Sequence, residues 1–422
     1  MDSRILDQLE ELYDEELTLG QSDLGQLEQS IGTLLTSIGA GLLQRVVDRS
    51  RNGYRGSAIP CSCGNSMRFV GHRPRSVHTL WGWITIHRAY YHCAACHRGQ
   101  APYDQDSGLG TEQLSPALAK ACCTLAVDDS FAESVQKIGQ LFGERMADTT
   151  VAALVQQVGA VSARQQEDQR QQFEATRQIP AAEAQPQRLY VSVDGTTARE
   201  RDGWHEAKIG CIYWEDEQFR RHAYYVGRFC DSQTFGWYLW LAACRWGLGG
   251  AVEVIYLGDG AAWIRNEQER HFQRAVLILD WYHASEHLWD CGKTLFGEGT
   301  ALTQQWVQER LSLLWDGQTR SLLENLKAER RGRRGGKREA LDDLIRYIST
   351  NEEQMRYDVF REQGYDIGSG SVEGACKHVV GKRLKQSGMI WTRPGSSATL
   401  ALRITWLNGE WDRFWQSCPM AA

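Results

Sequence analysis

The chain has 422 residues, is 42% hydrophobic and 24% charged, and carries a formal net charge of −6. This is ordinary for a soluble globular protein with room for about two to four domains. No membrane-spanning segment is expected: the longest apolar-rich run, FGWYLWLAAC, is broken by Arg245 and is too short to cross a bilayer. The acidic, polar N-terminus is not a signal peptide, so a reducing compartment is expected. Most of the twelve cysteines are scattered (Cys122, Cys123, Cys211, Cys230, Cys244, Cys291, Cys376, Cys418) and read as buried thiols. Charge is segregated along the chain. The first thirty residues are acidic, Arg49–Pro102 holds eight arginines and no acid, and a second basic knot, ERRGRRGGKRE, spans Glu329–Glu339. Separate basic patches on a mildly acidic chain suit a polyanion touched at several places.

In chain order, residues 1–55 read as a helical region, from Leu6, Leu9, Tyr13 and Leu17 and from Leu34, Ile38, Leu42 and Val46 at helical spacing. Residues 56–104 lose that period and carry two β-like runs, MRFVG and HTLWGWITIHRAYYH. Cys61-Ser-Cys63 and Cys93-Ala-Ala-Cys96 flank them. A C-x-C paired at distance with a C-x₂-C fits a four-thiolate zinc ribbon with a closed, structural Zn²⁺, with free or redox-active thiols as the alternative. His92 and His97 are substitute ligands in reserve. Arg68, Arg73, Arg75, Arg88 and Arg98 on this ribbon would meet phosphates. Residues 113–165 are helical again. SFAESVQKIGQLFG ends at a C-capping Gly143, and TVAALVQQVGAV starts after a Thr149 or Thr150 cap. Two short helices and a tight turn resemble a helix-turn-helix, and equally an ordinary helical hairpin. A linker is expected over 166–187.

Residues 188–282 have an α/β rhythm. RLYVSVDG, HEAKIGCIYW and FRRHAYYVG are predicted strands, DSQTFGWYLWLAACRWG a helix, AVEVIYLGDG a strand, AAWIRNEQERHF a helix and RAVLILDWYH a strand. This is the element order of a ribonuclease-H-like core with a mixed five-stranded sheet. Residues 283–365 turn all-helical, with Leu288, Leu295, Trp306, Leu311, Leu314, Leu322 and Leu326 as candidate core, and residues 366–422 return to complete the core.

Two strands end in Asp-Gly, at Asp194 and Asp259. A lone Asp-Gly is a turn signal. Two of them on apolar, central strands would bring two carboxylates into one crevice, where a hard cation such as Mg²⁺ relieves their repulsion. In GSGSVEGACKHVVGKRL, Ser369 or Ser371 can cap a helix with Glu373 in its first turn. Packed beside the sheet, Glu373 becomes a third carboxylate, and three carboxylates can hold two ions about 3.5–4 Å apart for in-line phosphoryl transfer. Alternatively Glu373 is an exposed residue pairing with Lys377 one turn on. No acid falls between Gly374 and Asn408, and Lys377, Lys382, Arg383 and Lys385 would hold a DNA backbone.

The set VDGT, GDGAAWI, DWYHASEH and SGSVEGACKHVVGKRLKQSGMIWT resembles the catalytic domain of bacterial insertion-sequence DDE transposases, most closely the ISKra-type group related to ISL-type and Mutator-type enzymes. The resemblance runs from the cysteine ribbon to Trp391. It implies a multidomain α/β protein: a ribonuclease-H-like core interrupted by a helical insertion at 283–365, behind a zinc ribbon and a helix-turn-helix that recognise terminal inverted repeats. By position Asp194, Asp259 and Glu373 would bind two Mg²⁺ or Mn²⁺ ions, and Asp280 with His283 matches a C/D-x-x-H motif. There His283 would contact the scissile phosphate or orient a carboxylate, or else be a satisfied buried residue. Trp281, Trp289 and Trp391 would stack on bases, or pack in the core. The implied activity is DNA cleavage and 3′-hydroxyl strand transfer by a homodimer or larger assembly in the bacterial cytoplasm, at the nucleoid. The alternatives are a catalytically inactive zinc-ribbon DNA-binding protein, acting as a repressor or domesticated factor, and a structure-selective nuclease.

Overall fold

The computed structural model describes residues 24–418 apart from Arg51, Thr111 and Ser369. The helix expected on Leu6, Leu9, Tyr13 and Leu17 therefore lies outside the described residues, as does one of the two candidate caps, Ser369. The chain forms two compact units, one up to Val161 together with the chain from Asp412, the other Ser162–Trp411.

In the first unit, helix α1 (Leu24–Asp48) precedes a four-stranded antiparallel sheet of β1 (Ala58–Pro60), β2 (Ser66–Thr79), β3 (Gly82–His92) and β4 (Gly99–Gln100). The two runs read as β-like are one hairpin, paired from Arg68↔His92 to Thr79↔Gly82. Alternation buries Val77, Ile84 and Ile86 under Val47 of α1, while Ile59, Met67, Ala89 and Tyr91 form a second small core beside the cysteines. Gln44 ties α1 to β3 by exchanging two 2.8 Å hydrogen bonds with the Thr85 backbone. By length and composition α1 is apolar enough to cross a membrane, a property the shorter run at Phe235–Cys244 lacks. A short α2 (Pro102–Asp106) and α3 (Pro116–Ala126) follow.

Helix α4 (Phe131–Phe142) begins with a capping box between Ser130 and Glu133 and stops at Gly143, which takes the left-handed φ of 72°. Helix α5 spans Asp148–Thr176, so the expected linker is helical as far as Thr176. The segment QQEDQRQQFE is polar but rich in good helix formers, Gln, Glu and Arg. Arg170 bridges Glu167 at 2.7 Å and also pairs with Glu174, and Phe173 is buried.

The second unit is a mixed five-stranded sheet in the order β7 (Arg221–Arg228), β6 (Gly203–Glu215), β5 (Arg188–Glu200), β8 (Glu253–Gly258), β9 (Val276–Leu279). Strands β5, β6 and β7 are antiparallel, and β5, β8 and β9 are parallel. On one face Leu189, Val191 and Val193 pack on Phe235 and Leu239 of α6 (Ser232–Arg245) and Ile264 of α7 (Ala262–His271). Five helices follow the sheet: α8 (Trp281–Phe296), α9 (Ala301–Trp315), α10 (Thr319–Arg330), α11 (Gly336–Thr350) and α12 (Tyr357–Glu362). Leu288, Leu295, Trp306, Leu314, Leu322 and Leu326 are buried there, and Leu311 is half-buried.

The chain then returns as α13 (Gly370–Ala375), which runs into a π-helical segment at Cys376–Gly381 and one further turn, α14 (Lys382–Leu384). Helix α13 packs on β5 and β6. Helices α15 (Arg393–Leu407) and α16 (Trp411–Ser417) close the chain, α15 against β7.

Candidate metal centre

Strand register brings three aspartates level. Strands β5 and β8 pair in parallel as far as Ser192↔Leu257, so two residues further on Asp194 stands beside Asp259. Strands β8 and β9 pair as far as Gly258↔Leu279, so Asp280 comes beside Asp259, and its N–H donates to the Gly258 carbonyl at 2.8 Å. The expectation that a strand ends at Asp194 is corrected. Strand β5 runs on to Glu200, because it stays paired with antiparallel β6 down to Glu200↔Gly203 after its parallel partner has ended.

Asp259 does sit at a turn. Its Oδ1 accepts from the Ala261 N–H at 2.8 Å, and its carbonyl accepts from the Tyr347 hydroxyl at 3.1 Å. Gly260 makes that turn with φ +88°, and a Cβ there would meet Leu279 Cδ1 at 2.7 Å. Gly260→Ala is accordingly expected to cost about 1–3 kcal/mol, read as a lower urea midpoint.

Asp280 is buried and caps α8, accepting from the Tyr282 N–H at 3.0 Å. The cap fixes the first helical turn, in which His283 projects. One imidazole nitrogen and one oxygen each from Asp194 and Asp259 lie within 4.8 Å of one another. Oxygens bound to a magnesium-sized ion at about 2.1 Å lie roughly 3–4 Å apart, so this donor set fits a divalent cation with small side-chain adjustments.

Asp194, like Asp259, is half-buried. Burial raises its pKa, while the Cys376 thiol at 3.4 Å and the Gly195 N–H at 2.6 Å pull it back. Burial pushes the Cys376 thiol up, and the adjoining Asp194 carboxylate adds to this, so the sulfur stays protonated and donates to Asp194.

Glu373 is not in this group. Val372, Ala375, Cys376, Val379 and Val380 form the buried face of its helical segment, and Glu373 lies on the exposed side. Its carboxylate pairs with Lys377 Nζ at 2.6 Å.

Of the residues expected to hold DNA, Lys377, Lys382 and Lys385 are exposed, and Lys385 reaches Thr196 Oγ1 at 2.5 Å. Arg383 and Trp391 are corrected to structural positions, at 1% and 6% exposure. The Arg383 guanidinium lies 5.0 Å from the Trp391 ring centroid, and the indole N–H donates to the Leu384 carbonyl at 3.0 Å. The Trp391 backbone bonds to Arg199 and Arg201, which ties this segment to the edge of the β5–β6 hairpin. Trp281 likewise packs edge-on against Trp315 and Tyr357, each at 5.0 Å.

In the first unit the four expected cysteines form one cluster, with sulfur separations of 3.4 Å (Cys63–Cys61), 3.5 Å (Cys61–Cys96) and 3.7 Å (Cys63–Cys93). Four sulfurs on a tetrahedron with bonds of about 2.3 Å lie roughly 3.8 Å apart, so the cluster fits a closed Zn²⁺ site. Two tight backbone turns shape it: Gly64 N–H donates to the Cys61 carbonyl at 3.0 Å, and His97 N–H to the Cys93 carbonyl at 2.9 Å. His92 and His97 stay outside the four-sulfur group. On the ribbon, Arg73 is exposed above the Tyr90 ring. Arg75 is corrected to an internal tie, held by Asp104 at 3.0 Å and by the Glu112 carbonyl at 2.9 Å. Arg88 shares Asp104 with it.

A third group, Glu200, Asp202 and His205, sits at the tip of the β5–β6 hairpin. Its buried member, Glu200, is already taken by Ser396 Oγ at 2.6 Å and Arg393 Nη1 at 3.2 Å, so it anchors α15.

Sequence reasoning missed Cys376, Glu286 and Tyr347 as neighbours of the site. The first two had a signal: Cys376 lies one helical turn after Glu373, and Glu286 one turn after His283. No curated protein matches the chain. Residues 64–416 match the family described as uncharacterised protein family UPF0236, and the chain belongs to that family.

Proposed function

We propose that this protein is a DNA transposase of a bacterial insertion sequence, with its chemistry at Asp194 and Asp259. The observation that carries this is the convergence of the Asp194 and Asp259 carboxylates, just past the last parallel β5–β8 pair, with the His283 imidazole from the first turn of α8, within a sheet whose strand order and directions suit a ribonuclease-H-like core. On this reading residues 188–282 and 366–422 are the core and 283–365 its insertion. Residues 56–165 hold the inverted repeats, and two copies synapse two DNA ends in the cytoplasm.

Magnesium or manganese held by Asp194 and Asp259 would neutralise phosphate charge and make the attacking water or hydroxyl more acidic. The chain's own residues do the rest. Gly195 N–H and the Cys376 thiol hold the Asp194 carboxylate in one orientation, and Tyr347 pins the Asp259 backbone. Lys382, Lys385 and Arg73 are exposed cations suited to phosphates, with affinity that falls as salt rises. Glu373 is the third carboxylate once it leaves Lys377. An exposed i,i+4 pair is worth only about 0.2–0.5 kcal/mol, so DNA or a second cation can displace it.

Cleavage of labelled DNA carrying the element's inverted repeat tests this, with Mg²⁺ or Mn²⁺ and with wild type beside Glu373→Gln. Equal binding, with at least about 100-fold slower cutting and joining by the variant, is expected. Cutting by Glu373→Gln at the wild-type rate would remove Glu373 from the reaction. The position of Glu373 outside the group at Asp194 favours a second reading, a DNA-binding protein that no longer catalyses. Binding without cation-dependent cutting by wild type would select it, and cutting without joined products would select a nuclease.

A further inference from the structure

We propose that the His283 imidazole is itself a ligand of the cation at Asp194 and Asp259, so that the site takes an ion of the Mn²⁺ class in preference to Mg²⁺. This deepens the function proposed above and rests on it only for the presence of a cation.

Geometry comes first. His283 places a ring nitrogen within 4.8 Å of an oxygen from each aspartate. Its two nitrogens face different partners, with Nδ1 3.3 Å from Glu286 and Nε2 4.0 Å from Asp280. A ring N–H donated to a carboxylate is the arrangement that orients a metal-bound histidine and fixes its tautomer. With the proton on Nδ1 toward Glu286, the Nε2 lone pair faces Asp280, which strand register sets beside Asp259. Lone pairs gathered in this way repel unless something positive lies among them.

The mounting is rigid. Asp280 caps the helix that carries His283, and one turn later the His287 ring lies 3.8 Å from Tyr347, whose hydroxyl holds the Asp259 carbonyl. The imidazole and Asp259 are therefore fixed to one framework.

Chemistry then selects the ion. Mg²⁺ favours an all-oxygen, largely hydrated shell, whereas an imidazole beside two carboxylates suits Mn²⁺, Fe²⁺ or Zn²⁺. The Cys376 sulfur, 3.4 Å from Asp194 Oδ2, lies outside the three-donor group. The competing arrangement is an imidazolium cation among the carboxylates, with no metal bond.

Electron spin echo spectroscopy of Mn²⁺ bound to the full-length chain, without DNA, separates the two. Expected is modulation from a coordinated ¹⁴N that changes to the ¹⁵N pattern when the wild type is made with ¹⁵N-histidine. It should vanish in His283→Gln, with Mn²⁺ affinity at least about 10-fold weaker and Mg²⁺ affinity within about threefold of wild type. Asp259→Asn should remove the signal as well, which excludes adventitious manganese. Bound Mn²⁺ in wild type with no nitrogen modulation overturns the proposal, whatever the variants' folding, and so does unchanged Mn²⁺ affinity in His283→Gln. Because no DNA is present, nitrogen coordination without DNA cutting would sink the transposase and keep the ligand. Cutting without nitrogen coordination would do the reverse.

Discussion

Asp194→Asn is expected to stop cation-dependent DNA cutting and, in the absence of divalent ions, to raise the melting temperature at neutral pH. The two effects share one cause. Burial lifts the Asp194 pKa above that of an ordinary aspartate, with the Asp259 charge pushing the same way. A carboxyl group whose folded-state pKa is raised favours folding only below its unfolded pKa, and that favour is lost as pH rises through the folded value. At neutral pH the ionised group therefore weighs against the fold, and either a cation or a neutral amide relieves it. Wild type without divalent ions should lose stability as pH climbs through the raised Asp194 value, and Asp194→Asn should flatten that slope. Added Mn²⁺ should stabilise wild type in proportion to the logarithm of its concentration and leave the variant unmoved. The same amide cannot supply the charge that holds the ion, so cutting should fall on the order of 10³-fold, the kinetic equivalent of several kcal/mol of lost transition-state stabilisation. Calorimetry with and without EDTA reads the first effect and single-turnover cleavage the second. A variant that melts lower than wild type in EDTA would refute the account of burial, and one that cuts normally would move the chemistry elsewhere.

What the sequence disclosed follows from how local each signal is. Helices and strands are legible where period and caps are written within a dozen residues, as in SFAESVQKIGQLFG of the first unit with its final glycine. The cysteine cluster was legible because thiolate pairs have few other uses. Asp194 and Asp259 read as strand-end carboxylates from sequence, but their alignment with each other and with Asp280 depends on strand register, which no single strand encodes. VDG was read as a turn because Asp-Gly usually is one, and the pairing of β5 with β6 overrode it. Arg383, Trp391 and Arg75 were assigned to a DNA surface by charge and ring chemistry alone. All three are drawn inward by tertiary packing: Arg383 lies over Trp391, Trp391 is sewn to β5, and Arg75 is held by Asp104. Glu373 shows the opposite case, since its i,i+4 partner Lys377 was visible from spacing alone.

Cys63→Ser, or stripping metal from wild type with a strong chelator, is expected to unfold the ribbon and leave the second unit folded. The ribbon's core beside the cysteines is small, with Ile59, Met67, Ala89, Tyr91 and part of Phe69 around the sulfurs. A core of that size does not hold a sheet against chain entropy without a staple. A four-thiolate zinc supplies about 10–16 kcal/mol to small zinc-finger domains, far more than those side chains can. Cys63 is the informative position because it is exposed, so serine opens no cavity there, while the hydroxyl can still accept from the Asn65 side-chain amide and donate to the Cys61 sulfur. Wild type should carry about one zinc per chain by elemental analysis, and the variant little. Amide exchange should accelerate across β2 and β3 and stay slow in β5, β6 and β8. Slow exchange in the β2–β3 hairpin after zinc removal would show that α1, through Val47 and Gln44, holds the ribbon by itself. In that case the four thiols serve a labile metal or redox role rather than a structural one. If the ribbon unfolds as expected, inverted-repeat binding should weaken with it. DNA recognition would then depend on the zinc site, with the carboxylates of the second unit intact.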